Sequence, residues 1–391
     1  SYVIGELNYG GRVTDKWDRR LLLSILSKYF SENINSPSFS FGVRYKAPDF
    51  ESNSTHKELM DIVSTWPMVT DGEDVGLSRN ASTITARNEA LRIFASLIEV
   101  QPSLVASSDT VSEEQFALSI VESLIEKVPK QFNLYQFKKQ FNLEDTINTV
   151  LHHEILLYNK LLKVILDSLI LMQKGLKGLI LIDDKLDLLN RRLLAGRVPE
   201  MWLEHSFPSI LNLHQYMNDL NMRIQFLDKW VREGQPKVFN LGGFYHPEEF
   251  LTAILQVYAR KHVVPFDSLC WTTTPLDVVD ENEITEIPEE GIYICGLPIE
   301  GAKWDLEKKT LVECGQKELV NKLPPIHLIP TQNKSQYDMV VTYECPVFRT
   351  QNRGSGALGL PNYIFSLFLP SNTETPDHWV QRSVAAFITT S

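Results

Sequence analysis

Leu151-His152-His153-Glu154-Ile155-Leu156-Leu157-Tyr158-Asn159-Lys160-Leu161-Leu162 sits near the start of a stretch, Leu143 to Val198, that contains no proline. Within it one seam repeats at alternating spacings of four and three: Leu151, Ile155, Tyr158, Leu162, Ile165, Leu169, Met172, Leu176, Leu179, Asp183, Leu186, Asn190 and Leu193. Eleven of these thirteen positions are apolar, so the period is that of a helix and not of a strand. Burying each apolar side chain stabilises by roughly 1.5–3 kcal/mol as an upper bound, so a second helical surface must cover the seam. Gly175 and Gly178 mark the place for a turn, because a glycine costs about 1 kcal/mol against alanine inside a helix. One long helix and an antiparallel hairpin both fit. Either gives a rod-like bundle joining the residues before 143 to those after 236.

Outward from that stretch, 391 residues are enough for more than one domain. No apolar run reaches the ~20 residues needed to span a bilayer, and Leu176–Ile182 runs straight into Asp183, Asp184 and Lys185. The opening Ser1-Tyr2-Val3-Ile4-Gly5-Glu6 has no initiator Met and no signal peptide, which reads as part of a longer chain. Cys270, Cys295, Cys314 and Cys345 are too widely spaced for a zinc site. They are expected as free thiols in a reducing compartment. The glycosylation patterns at Asn53, Asn80 and Asn333 are then chance matches. A net charge of −11 without clustered Lys and Arg argues against nucleic acid and against an anionic membrane surface.

Before the bundle the chain reads as all-helical. Residues 1–35 read as a short extended or turn segment followed by a helix, and Asn8-Tyr9-Gly10-Gly11 is turn chemistry. Thr14-Asp15 caps a helix carrying Trp17, Leu21, Leu22, Ile25, Leu26 and Tyr29, ended by Asn35-Ser36-Pro37. Further helices are expected over Lys57–Ser64, over Thr85–Glu99 with Ala90, Ile93, Phe94 and Leu97 inward, and from a cap at Ser112 through Lys127. Asp71–Ser82 reads as a loop. After the bundle's first stretch, Glu200–Arg232 is helical with a break at Pro208. Lys237–Gly243 reads as strand and turn, and Pro247 stands at the first position of a helix over Glu248–Lys261. Then the texture turns to β. The strand candidates are Leu269–Thr274, Gly291–Leu297, Thr310–Cys314, Ile326–Pro330, Met339–Cys345, Tyr363–Leu369 and Val384–Thr389, with a short helix at Pro376–Arg382. The expected class is α+β: a helical unit (1–142), a long-helix bundle (143–236) and a part (237–391) holding a small antiparallel β-barrel or sandwich. Asp277–Glu290, with seven acids and no base, reads as a solvated connection.

The residues that could carry chemistry do not converge. No glycine pair is followed by the Lys-Ser/Thr that holds nucleotide phosphates. Gln173–Gly178 sets two lysines near glycines, but within a helix, where the amides are already bonded. Arg353-Gly354-Ser355-Gly356 lacks the strand-to-helix setting of a nucleophile elbow. His152 and His153 are adjacent, so on a helix they point about 100° apart and cannot share one ion. Trp17, Trp202, Trp304 and Trp379, with Trp230 and Trp271, read as core or interface anchors. The expectation is no catalytic group, no cofactor and no metal here.

Ile4-Gly5-Glu6-Leu7-Asn8-Tyr9-Gly10-Gly11-Arg12-Val13-Thr14-Asp15-Lys16-Trp17-Asp18-Arg19-Arg20 resembles the lid that follows the sixth AAA+ module of dynein heavy chains. Val198-Pro199-Glu200-Met201-Trp202, Gly234-Gln235-Pro236-Lys237-Val238-Phe239 and Ala259-Arg260-Lys261 are similar to the same family. Gly301-Ala302-Lys303-Trp304-Asp305, Tyr343-Glu344-Cys345-Pro346-Val347-Phe348 and His378-Trp379-Val380-Gln381-Arg382-Ser383 resemble its axonemal branch. The resemblance implies a helical AAA+ lid followed by the C-terminal domain of a minus-end-directed microtubule motor driven by ATP. It places ATP, ADP and Mg²⁺ in other modules and the microtubule contact on a stalk absent here. Implied partners are the remaining AAA+ modules and other dynein chains, and the implied location is cytoplasm and the axoneme of cilium or flagellum. Gly10, Gly11 and Arg12 would shape the lead-in to the lid helix, the glycines through positive φ. The loop 75–81 keeps the family's Leu77, Asn80 and Ala81 but not its Phe and His-Pro. The alternative is a free-standing β-barrel or helical binding or scaffold module, with no role in a motor.

Overall fold

The computed structural model describes residues 2–36, 39–40, 42, 45, 55–69, 72–75, 79–100, 113–209, 211–332, 337–350, 362–371 and 374–388. In chain order these hold α1 (Tyr2–Tyr9), α2 (Lys16–Tyr29), α3 (His56–Ser64), α4 (Arg79–Val100), α5 (Glu113–Lys127), α6 (Leu134–Gln140), α7 (Thr146–Leu176), α8 (Asp184–Leu194), α9 (Glu200–Leu203) and α10 (Leu213–Glu233). They continue with β1 (Val238–Asn240), α11 (Pro247–His262), β2 (Cys270–Pro275), β3 (Ile292–Cys295), β4 (Pro298–Glu300), β5 (Lys303–Asp305) and β6 (Thr310–Val312). The last elements are β7 (Val320–Lys322), β8 (Ile326–Thr331), β9 (Thr342–Phe348), β10 (Tyr363–Pro370), α12 (Pro376–Gln381) and β11 (Ala385–Phe387).

The seam forms one 31-residue helix, α7, and then folds back. Leu151, Ile155, Tyr158, Leu162, Ile165, Leu169 and Met172 are all buried along it. Lys174 accepts from the Leu179 N–H and Gly175 accepts from the Gly178 N–H, both at 2.9 Å. Gly178 takes φ +70°, so α7 closes with the left-handed residue that a glycine supplies at least cost. The same closure recurs at the end of α8, where Gly196 takes φ +66°. The hairpin reading holds, but Leu179 leaves the seam and stands 70% exposed. Leu189 and Leu193 carry the buried face of α8 against α7 and α5. The seam is covered by α5 and α11 as well as by α9 and α10. α6, absent from the sequence reading, adds the buried Phe137 to the same core.

The amino-terminal region departs from expectation in three places. Residues 2–9 are helical, not extended. Gly5 is buried there, and a Cβ on it would meet Leu23 at 2.8 Å, so close packing of α1 on α2 overrides the β-branched start. α2 stops at Tyr29, ahead of Asn35, which ends a separate short 3-10 turn. α4 begins at Arg79, inside the expected loop, and its Ala90, Ile93 and Phe94 are exposed rather than inward. The cap at Ser112 and the 353–356 turn lie outside the described residues, as does the side chain of Leu97.

The sheets are mixed and do not close into a barrel. One has the order β1-β3-β8-β2, the second β10-β9-β11-β4-β7, and β5 pairs with β6. β1 runs parallel to β3, and β9 runs parallel to β11. Antiparallel neighbours can be joined by tight hairpins, whereas parallel neighbours need a longer crossover. Here α11 lies between β1 and β3, and α12 between β9 and β11, and such crossovers permit parallel pairing. β9 starts at Thr342, three residues later than Met339, because Asp338 turns the preceding backbone through bonds from Val340 and Val341. The three-residue strands β4, β5 and β7 were too short to read.

Candidate functional site

α2 docks on the far end of the chain. Asp15 caps it by accepting from Trp17 N–H at 2.8 Å and Asp18 N–H at 3.1 Å. Helical spacing then lines up Trp17, Arg20 and Ser24 on one face. Trp17 is buried with Phe348, Ala385 and Phe387, its ring 5.3 Å from that of Tyr363. The Arg20 guanidinium lies 4.5 Å from the Trp17 ring and 5.3 Å from the Tyr343 ring. It donates to the Glu344 carbonyl at 2.9 Å and to the Tyr343 hydroxyl at 3.1 Å. Tyr343 donates onward to the Val384 carbonyl at 2.6 Å, and Gln381 of α12 reaches Ser24 at 3.3 Å. Lys16 pairs with Glu344 at 3.8 Å, but its side chain is 74% exposed, so water screens most of the gain.

A second contact lies at the start of α4. The Asn80 amide donates to the Gly315 carbonyl at 3.1 Å and accepts from the Lys317 N–H at 3.4 Å. It grips the turn between β6 and β7, where Lys317 takes φ +69°. Two separated points of the amino-terminal region thus hold one sheet. In the sequence Asn80 stands out as a residue kept from a family pattern and as a chance glycosylation match, and neither points to this contact.

Among the other expected site residues, Gly10 and Gly11 turn the chain between α1 and α2 without positive φ. Gly10 N–H donates to Glu6, and the Arg12 and Val13 amides both donate to Tyr9. These amides are spent, so the turn cannot cradle a phosphate. At Gly178 the amides are likewise taken by the helix end. The Arg12 side chain is exposed. Trp202 is fully buried on α9 and donates its indole N–H to Ser168 of α7 at 2.9 Å. Trp304 is buried on β5, and Trp379 is buried on α12. Of these tryptophans Trp17 stands in the docking surface, while Trp202, Trp304 and Trp379 belong to the main core, α12 meeting α2 through Gln381.

A buried polar junction escaped the sequence reading. Glu154 is 1% exposed and accepts from Tyr245 N–H at 2.8 Å and His246 N–H at 3.0 Å. Burial lifts its carboxyl above the ordinary glutamate range against the pull of those two amides. Tyr158, one turn on, donates to the Gly243 carbonyl at 2.8 Å, and burial pushes its phenol up. Arg349 of the turn after β9 donates to the Tyr245 carbonyl at 2.8 Å and pairs with Glu248. α7, the 241–246 turn, α11 and the sheet are thereby tied together. The available signal was Glu154 itself, three residues after Leu151 and four before Tyr158, on the face the seam buries. Both carboxylate oxygens hold backbone amides, so Glu154 clamps a turn and is not placed as a general base. Among the described residues no three His, Cys, Asp or Glu side chains could hold a metal ion, and no helix is long and apolar enough to cross a membrane.

Residues 1–81 match the family model of the dynein heavy chain AAA lid domain, and residues 87–388 match that of the C-terminal domain of the dynein heavy chain. The chain is 35% identical over 393 residues to human dynein axonemal heavy chain 1, covering 98% of the chain and 9% of that protein. It is 34% identical over 394 residues to human dynein axonemal heavy chain 12, covering 98% of the chain and 12% of that protein. It is 35% identical over 397 residues to mouse dynein axonemal heavy chain 3, covering 99% of the chain and 9% of that protein. The chain therefore spans about a tenth of the length of the curated relatives it matches.

Proposed function

Because the chain belongs to the dynein heavy chains, as a carboxy-terminal region of the axonemal type, we propose that its work is mechanical. The lid and the domain behind it act as a brace on the AAA+ ring. They carry ring motion from the sixth module into the long helices during ciliary or flagellar beating. ATP is bound with Mg²⁺ and hydrolysed in other modules of the same heavy chain, and this region supplies no catalytic group. Its partners are those modules and other dynein chains, the microtubule being met elsewhere, and its place is the axoneme. The working division is into lid, helical bundle and mixed α/β part, with α5 already packed on α7.

The observation that carries this reading is the Trp17–Arg20 dock on β9 and β11. A lid that only covered its own module would need no such contact more than 300 positions along the chain. Docked this way, lid and sheet move as one body, which is what transmission by rigid-body motion requires. The test is the full-length motor carrying Trp17→Ala with Arg20→Ala. Microtubule-stimulated ATP turnover is expected to fall several-fold, with nucleotide still bound. Turnover and gliding velocity equal to the parent motor's would overturn the reading.

A further inference from the structure

β2 and β10 are neighbouring edges of the two larger sheets, and they are stitched at Thr273. Its hydroxyl donates to the Phe368 carbonyl at 2.9 Å and accepts from the Phe368 N–H at 2.8 Å. Toward Cys270 and Tyr363 a cleft of about 510 Å³ opens between the strands, with α11 along it. That volume is within the range of ligand sites.

Register shows which backbone groups face the cleft. Thr273 N–H bonds the Tyr337 hydroxyl at 2.6 Å, so it points away from β8. Trp271, two residues earlier, points the same way. It stands opposite Pro330, which has no N–H to offer across the ladder. On β10 the Phe368 amide faces Thr273, so the Ser366 amide, two residues earlier, also faces outward. Ser366 stands opposite Pro346 of β9. Trp271 and Ser366 therefore turn backbone N–H and C=O groups into the cleft from opposite sides. Such edges are what an added strand pairs with.

The lining sets the chemistry of the occupant. Leu251, Leu255, Trp271 and Phe365 supply apolar surface, and among the described residues the charged lining groups are Glu248 and Glu344. Glu248 meets Arg349 through one oxygen, while its Oε2 is buried with no hydrogen-bond partner among the described residues. Among the described residues the Glu344 carboxylate pairs with the exposed Lys16 at 3.8 Å and accepts from the Ser366 hydroxyl at 3.0 Å. We propose that this cleft is a strand-addition site for an extended peptide segment in which apolar side chains alternate with lysine or arginine. The segment would join the two sheets through main-chain bonds to Trp271 and Ser366, its cations meeting Glu248 and Glu344.

The experiment screens the intact 391-residue chain against a library of capped pentapeptides alternating apolar with basic, acidic or neutral polar residues. Binding is read by fluorescence anisotropy. Alternating apolar–basic peptides are expected to be retained and to weaken about tenfold or more when their backbone amides are N-methylated. Ser366→Pro removes an N–H that no ladder uses, so it should fold and lose binding to the same degree. Glu344→Gln should weaken basic peptides alone. The proposal is overturned if no peptide binds above the Ser366→Pro background, if N-methylation changes nothing, or if acidic peptides bind best. A concentration-dependent dimer abolished by Ser366→Pro would assign the edges to a second copy and overturn it equally.

Discussion

At the scale of single residues, what a side chain touches separates positions that look alike in sequence. Gly10 and Gly11 form one turn dipeptide, and neither needs positive φ. A Cβ on Gly10 falls well inside contact distance of the Glu6 carbonyl oxygen, whereas a Cβ on Gly11 meets nothing within 4 Å. Gly10→Val should therefore lower stability by about 1–3 kcal/mol, and Gly11→Val should stay within about 0.5 kcal/mol of the parent. Equal urea midpoints for the two variants would contradict this. Glu154 makes the second case. Its folded-state pKa is raised, above an ordinary value of 4.5, chiefly by burial. Its titration thus favours the folded state below that ordinary value, and the benefit is lost as pH rises through the folded-state pKa. Glu154→Gln keeps one acceptor but sets an NH₂ group against the other backbone amide, costing about 1–3 kcal/mol. The gap between parent and variant should be widest near pH 4 and narrow toward pH 7, as melting curves across that range would read. A gap that widens with pH would show that the amide bonds outweigh burial. The position of Glu154 was legible from helical period alone. Its partners, more than 90 positions away, were not.

At the scale of elements, the long seam was readable because burial selects period, and α7 has a period that few alternatives share. Its end was readable only as two options, since Gly175 and Gly178 each permit a turn. The choice fell to Gly178 because a helix closes where φ changes sign. Gly178→Val should cost about 1–3 kcal/mol by forcing a β-branched residue into the left-handed region. Hydrogen exchange at the end of α7 and the start of α8 should speed up while α10 stays protected. No loss of protection at Leu179 would mean that another residue turns the hairpin. α4 is the opposite case. Its apolar positions repeat at helical spacing, but within the chain described nothing covers Phe94, which is 61% exposed. Period announces an amphipathic helix without saying whether its partner belongs to this stretch of chain. The strands were hardest, because three-residue segments carry too few alternations to show a period, and sheet direction depends on which crossovers intervene.

At the scale of the whole molecule, the packing is uneven. One continuous core runs from α5 through the bundle to β10, α12 and one face of the β11 segment, with Val384, Ala386 and Ile388. α1 to α4 join the rest through a small cluster of Trp17 with Phe348, Ala385 and Phe387, through Leu21 against the edge of the main core, and through Arg20 and Asn80. A contact of that size opens without the main core opening, so two stability levels are expected. In native-state hydrogen exchange the amides of α2 should exchange at a lower free energy than those of α7 or β9. Trp17→Ala should lower the α2 level by about 3–5 kcal/mol, the cost of emptying a buried tryptophan site. The α7 level should not move, because none of its buried contacts includes Trp17. Were both levels to fall together, the amino-terminal helices would be part of the one cooperative unit. The lid could then not leave the sheet without unfolding the domain behind it. If only the α2 level falls, the dock is a joint that a conformational cycle can load and unload, held by an arginine and an indole against a strand.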